Sequence, residues 1–130
     1  MVPSLVPPAT FGIDLPDGVP DEDYCARVLA AVCEGALRHY PVGGGRLVNY
    51  RQLPEALFTQ LLPHFGVTPS EAEIQAMRAA AVRDAKAPEQ AFTPDGLDKR
   101  QAATPALRLV CERRLDAVYR RLEAMRAEQP

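Results

Sequence analysis

The 130-residue sequence has no apolar run approaching the ~18 residues of a membrane span. Its N-terminus also lacks the early basic residues that open a signal peptide. These two absences lead us to expect a cytoplasmic chain with no membrane partner. Cysteine is scarce: Cys25, Cys33 and Cys111 are odd in number, show no CxxC spacing, and each falls at an apolar helical position. They are expected to be buried free thiols, which argues against a disulfide framework and against a metal site. There is no excess of positive charge, since the net charge is −2 and the isoelectric point about 5.7. No global field attracts nucleic acid. GxSxG, HExxH and paired His/Asp metal spacings are all missing. His39 and His64 both fall near expected helix C-termini, where an imidazole suits the carbonyl end without any chemistry. The sequence therefore assigns no catalytic residue and no metal ligand.

Hydrophobic residues make up 47% and charged residues 25%, the balance of a globular domain. The 13 prolines are out of proportion. Pro3, Pro7, Pro8, Pro16 and Pro20 mark residues 1–20 as an extended arm. Leu5, Val6, Phe11, Ile13 and Leu15 suggest that this arm packs on something. Residues 21–130 form the second region, mainly helical. Asp21–Tyr40 is expected as the first helix, opened by Pro20 and its acids and closed by Pro41. Its apolar stripe is wide: Cys25, Val28, Leu29, Val32, Cys33, Ala36, Leu37 and Tyr40. Gly43–Gly45 then forms a turn, Arg46–Tyr50 a short strand, and Pro54–Phe65 a helix with a kink or stop at Pro63. Ser70 and Glu73 form a capping-box pattern for a helix to about Asp84, with Ile74, Met77, Ala81 and Val82 inward. A loop follows over Ala85–Asp95, then a short helix over Gly96–Ala103. Thr104 and Pro105 open a long final helix to about Ala127, with Asp116 and Arg120 as an i,i+4 pair. The fold class expected is mainly α with one short strand.

Charge is unevenly placed. Only acids precede Arg27, whereas the last segment carries Arg108, Arg113, Arg114, Arg120, Arg121 and Arg126. Such a face is either solvated or a contact surface for an acidic partner or for the acidic N-terminal arm. Gly43–Gly45 precedes the expected strand, so it is in the wrong order to cradle a phosphate. Lys86, Lys99 and Arg100 lie in or beside the Ala85–Asp95 loop and are the candidate anion-binding residues.

The segment Arg46-Leu47-Val48-Asn49-Tyr50-Arg51-Gln52-Leu53-Pro54, the His64-Phe65-Gly66-Val67 ending and the Ser70-Glu71-Ala72-Glu73 cap resemble the C-terminal part of sulfotransferase-family proteins. Asp84-Ala85-Lys86, Phe92-Thr93-Pro94-Asp95 and Lys99-Arg100 look like that family's basic loop. The resemblance runs from about Asp21 onward. It implies a partial α/β domain from a P-loop sulfotransferase-like fold. The family's reaction is sulfuryl transfer from 3′-phosphoadenosine 5′-phosphosulfate to a hydroxyl or amine. It leaves Lys86, Lys99 and Arg100 as 3′-phosphate contacts and carries over no catalytic residue. The family's phosphosulfate loop has no counterpart: Pro7-Pro8-Ala9-Thr10 lacks its lysine and glycine, and Lys99-Arg100 is followed by Gln101 rather than glycine. With the donor site missing, no cofactor is expected for this chain alone.

A lone strand at Arg46–Tyr50 needs a neighbour. Unpaired buried ladder groups would cost ~1–3 kcal/mol each. Two readings follow. The chain is a sulfotransferase-like fragment, missing its N-terminal portion and inactive alone. Alternatively, it is a helical interaction module that self-associates or binds a partner through its arginine-rich last helix or an exposed strand edge.

Overall fold

The computed structural model describes residues 7–15 and 18–129. The expected placements of Pro3, Leu5, Val6 and Pro16 lie outside the described residues. The chain is mainly helical. It divides into two compact units, residues 1–47 with 103–130, and residues 48–102.

The first unit is built on helix α1, Asp21–Gly43. Asp21, Glu22 and Asp23 fill its first turn, where backbone N–H groups lack partners and the dipole favours anions. The helix passes through Pro41 and ends three residues later than the expected stop, at Gly43. Gly44 closes it at φ +60°, a left-handed conformation that costs glycine nothing. Ahead of α1, Pro8–Phe11 forms a single 3₁₀ turn that contacts the helix. The expected final helix is two: α5, Pro105–Arg114, and α6, Asp116–Ala127. They meet at Leu115, whose φ of −112° is off the helical value. Backbone hydrogen bonds from Leu115 to Cys111 and from Tyr119 to Leu115 carry the ladder across the bend, each 2.8 Å. Thr104 caps α5 by accepting from the Leu107 amide at 3.1 Å, with Pro105 at the first helical position, as the sequence predicts.

Three ties fix how α1 lies against the segment from α5 to Gln129. Arg114 pairs with Asp23, Arg121 with Glu34, and the Tyr40 hydroxyl donates to Gln129. The numbers rise together on both sides, so α1 runs parallel to the α5–α6 segment. Tyr24, Ala26, Val28, Leu37 and Val118 are the buried residues of this unit, and Val28 has no exposed surface.

In the second unit, a helix spans Glu55–His64 with a π turn at Leu57–Leu61 and an α segment, α2, at Leu62–His64. The Leu62 amide reaches back five residues to the Leu57 carbonyl. Pro63 lacks an amide and would press on the carbonyl four residues earlier. The widened turn absorbs that conflict, so the proline is carried inside the helix rather than ending it. Gly66, at φ +64°, is the stop. Helix α3 is Glu71–Ala81, three residues shorter than expected. Ile74 and Met77 are half-buried on its inner side, but Ala81 and Val82 are exposed. Helix α4 is Gly96–Ala102. Ala56 is the buried residue here. Arg78 lies 4.3 Å above the Phe58 ring and pairs with Glu55 at 2.7 Å, linking α3 to the preceding helix.

The expected strand at Arg46–Tyr50 does not form, and no strand occurs among the described residues. Two side chains take the hydrogen bonds that a neighbouring strand would make. Gln129 accepts from the Leu47 amide at 2.6 Å and donates to the Leu47 carbonyl at 2.9 Å. One carboxamide thus presents the acceptor and donor of a strand neighbour to a single residue. Asn49 then caps a 3₁₀ turn at Tyr50–Gln52, with Gln52 accepting from the Asn49 amide at 2.8 Å. Asn49 favours such a local cap over a ladder. The α/β expectation is corrected accordingly: an extended segment is present, but no sheet.

Candidate functional site

The cations singled out by sequence lie in the second unit. Val82–Phe92 is a small closed loop. Asp84 holds its tip by accepting from the Lys86 amide at 2.7 Å and the Ala87 amide at 3.1 Å. The Phe92 amide returns to the Val82 carbonyl at 2.9 Å, beside an isolated bridge between Arg83 and Ala91. Asp95 follows, and the Lys99 ammonium pairs with it at 2.8 Å. That hydrogen bond holds the Asp95 carboxyl below its ordinary range, with a smaller contribution from the charge on Lys86. Two of the three candidate cations are therefore near one carboxylate. The third, Arg100, donates through Nε to the Gly96 carbonyl at 3.0 Å. An anion arriving at Lys86 and Lys99 would have to compete with Asp95.

The arginine-rich helices are largely spent within the chain. Arg114 and Arg27 both hydrogen-bond Asp23, each at 2.9 Å. Partial burial would raise the Asp23 carboxyl, but the two guanidinium hydrogen bonds prevail and it lies below its ordinary range. Arg121 reaches Glu34 at 2.7 Å, Arg120 reaches Asp116 at 3.2 Å, and Arg126 reaches Glu123 at 2.9 Å. The acidic partner of Arg114 is thus in the chain itself.

The three cysteines form no disulfide and are half-buried rather than buried. Burial, with a smaller effect of Glu34, pushes the Cys33 thiol upward. Among the described residues, no cluster of three His, Cys, Asp or Glu side chains could hold a metal. His64 packs edge-on against Phe65, ring centroids 4.8 Å apart, and His39 is exposed near the end of α1.

A concave feature of the first unit lies elsewhere. An open, apolar groove of about 270 Å³ runs between α1 and α5, lined by Cys25, Ala26, Leu29, Leu107 and Leu115, with Asp21 and Glu22 at its rim. It continues along α1 as an exposed strip in which Leu29 is 50% and Val32 52% exposed. The sequence reading did not single out this face, although its signal was present. The α1 stripe spans more of the helix than one neighbour covers, and of its eight members only Val28 and Leu37 are buried. No helix among the described residues is long and apolar enough to cross a membrane.

Comparison with protein-family models, with curated proteins and with solved structures finds no match, so nothing there points to a sulfotransferase.

Proposed function

We propose that this protein is a helical interaction module whose docking face is the apolar groove between α1 and α5 together with the exposed strip of α1. The observation that carries this reading is the Leu29–Val32 strip, large side chains left half in water on the helix that organises the unit. Exposed apolar area continuous with a groove is how helix-docking surfaces are built. The arginine-rich last helix is the weaker candidate, because Arg114 and Arg121 already serve α1. A strand edge would require a strand, and residues 46–50 form none. Sulfuryl transfer is not advanced. Its candidate contact Lys99 is already paired with Asp95, and Arg100 turns its Nε to a backbone carbonyl.

The test is a photoreactive phenylalanine analogue placed at Leu29 or, as a control, at exposed Gln75 on α3. A discrete adduct is expected from position 29 and none from position 75, and Val32→Glu should remove it. Equal labelling at both positions, or labelling indifferent to Val32→Glu, would sink the reading.

A further inference from the structure

We propose that the occupant of this face is a second copy of the chain, with the two α1 helices pairing antiparallel about a two-fold axis. The proposal rests on the docking reading above and adds the partner's identity. It starts from the exposed edge of α1: Glu22, Cys25, Leu29, Val32, Ala36 and His39. These residues are spaced three, four, three, four and three apart. That is the a/d spacing of a helix seam. All are exposed except Cys25, which is half-buried.

The order of residues along the seam is self-complementary. An antiparallel copy sets Leu29 against Val32 and Cys25 against Ala36, apolar against apolar. It also sets the Glu22 carboxylate against His39 at both ends. A two-fold interface demands that one patch fit its own inverse. A partner of different sequence imposes no such demand. The four central positions are apolar, and the polar residues fall only at the tips, where they fix direction and register.

Other residues of α1 are engaged within the chain. Tyr24 and Val28 are buried, and Asp23 and Glu34 hold Arg114 and Arg121. Glu22 and His39 take no part in those ion pairs. Leu107 and Leu115 continue the apolar surface from the seam across the groove, adding area to one side. The seam covers eighteen residues, about 27 Å of helix. That is only about two and a half heptads, so the dimer is a weak one.

Sedimentation equilibrium of the purified full chain, from micromolar to near-millimolar, tests this. A reversible monomer–dimer equilibrium is expected. Leu29→Glu should weaken it at least tenfold, because the carboxylate would face Val32 of the partner subunit. Leu29 is half exposed, so circular dichroism should show the fold of that variant unchanged. Adding Val32→Lys to Leu29→Glu should restore dimerisation, since antiparallel pairing puts each new carboxylate opposite a new ammonium. A monomer at every concentration overturns the proposal. So does a dimer indifferent to Leu29→Glu, or one that the double variant fails to restore. If the pure chain is monomeric while position 29 still yields a Val32-dependent adduct with another protein, self-pairing falls and the docking reading stands. If neither occurs, both fall.

Discussion

At the scale of single residues, Gln129 does the most with the fewest atoms. Its Oε1 accepts from the Leu47 amide and the Tyr40 hydroxyl, and its Nε2 donates to the Leu47 and Arg126 carbonyls. Removing it leaves several partly buried polar groups without a partner. Gln129→Ala is expected to cost about 1–3 kcal/mol. Gln129→Glu should do no better, because a carboxylate keeps the two accepting bonds but faces two carbonyl oxygens where it should donate. Urea unfolding of the three proteins measures this, and a glutamate variant as stable as wild type would refute the donor role. Asp23 gives a pH signature. Its folded carboxyl lies below the ordinary value, so its contribution is complete above the unfolded pKa and is lost as pH falls through the folded one. Asp23→Asn should therefore cost about 0.5–1 kcal/mol near neutrality, the partly exposed pairs being screened. The gap between variant and wild type should close in acid. Thermal unfolding across pH checks the sign.

At the scale of elements, helix starts were easier to place than stops or interiors. Ser70 and Glu73 make the reciprocal cap that their spacing announces: the Ser70 amide donates to Glu73 at 2.8 Å and its hydroxyl to the same oxygen at 2.7 Å. Ser70→Ala should shorten or fray α3 and cost about 1 kcal/mol, seen as loss of amide protection over residues 71–74. Capping is legible because it needs only residues three apart. Pro63 shows the opposite case. Proline predicts trouble four residues upstream, but not whether the helix will stop or widen, and a π turn at Leu57–Leu61 widens it. The strand expectation failed for a related reason. Leu47, Val48 and Tyr50 have β-type side chains, but a strand is a property of two segments. The group that reached Leu47 was a side chain 82 residues away in sequence, not a second strand.

At the scale of the whole molecule, the buried residues among those described are few: Tyr24, Ala26, Val28, Leu37, Ala56 and Val118. A domain with so little apolar interior sits low on the stability scale, and association through an exposed face would raise it by mass action. The midpoint of thermal unfolding should therefore rise with protein concentration in wild type and not in Leu29→Glu. Native hydrogen exchange should also be uneven. Amides around Val28 should be the slowest, and those of Gly96–Ala102, where every side chain is exposed, among the fastest. The purified chain is expected to transfer no sulfuryl group from 3′-phosphoadenosine 5′-phosphosulfate. Measured turnover with any acceptor would reopen the enzymatic reading.

The sequence by itself determined where α1, α3 and α5 begin, the Ser70 and Thr104 caps and the apolar width of α1, because propensity, capping and periodicity act within a few residues of chain. It also placed Lys86, Lys99 and Arg100 in and beside one loop. Only the tertiary structure decided which charges were already spoken for across the unit: Asp23 holds Arg114, and Glu34 holds Arg121. Only the tertiary structure decided which members of the α1 stripe became core, Val28 and Leu37, and which stayed in water, Leu29 and Val32 among them. The reason is common to both: a periodic pattern names a face, but whether that face is covered depends on a second element that the local pattern does not contain.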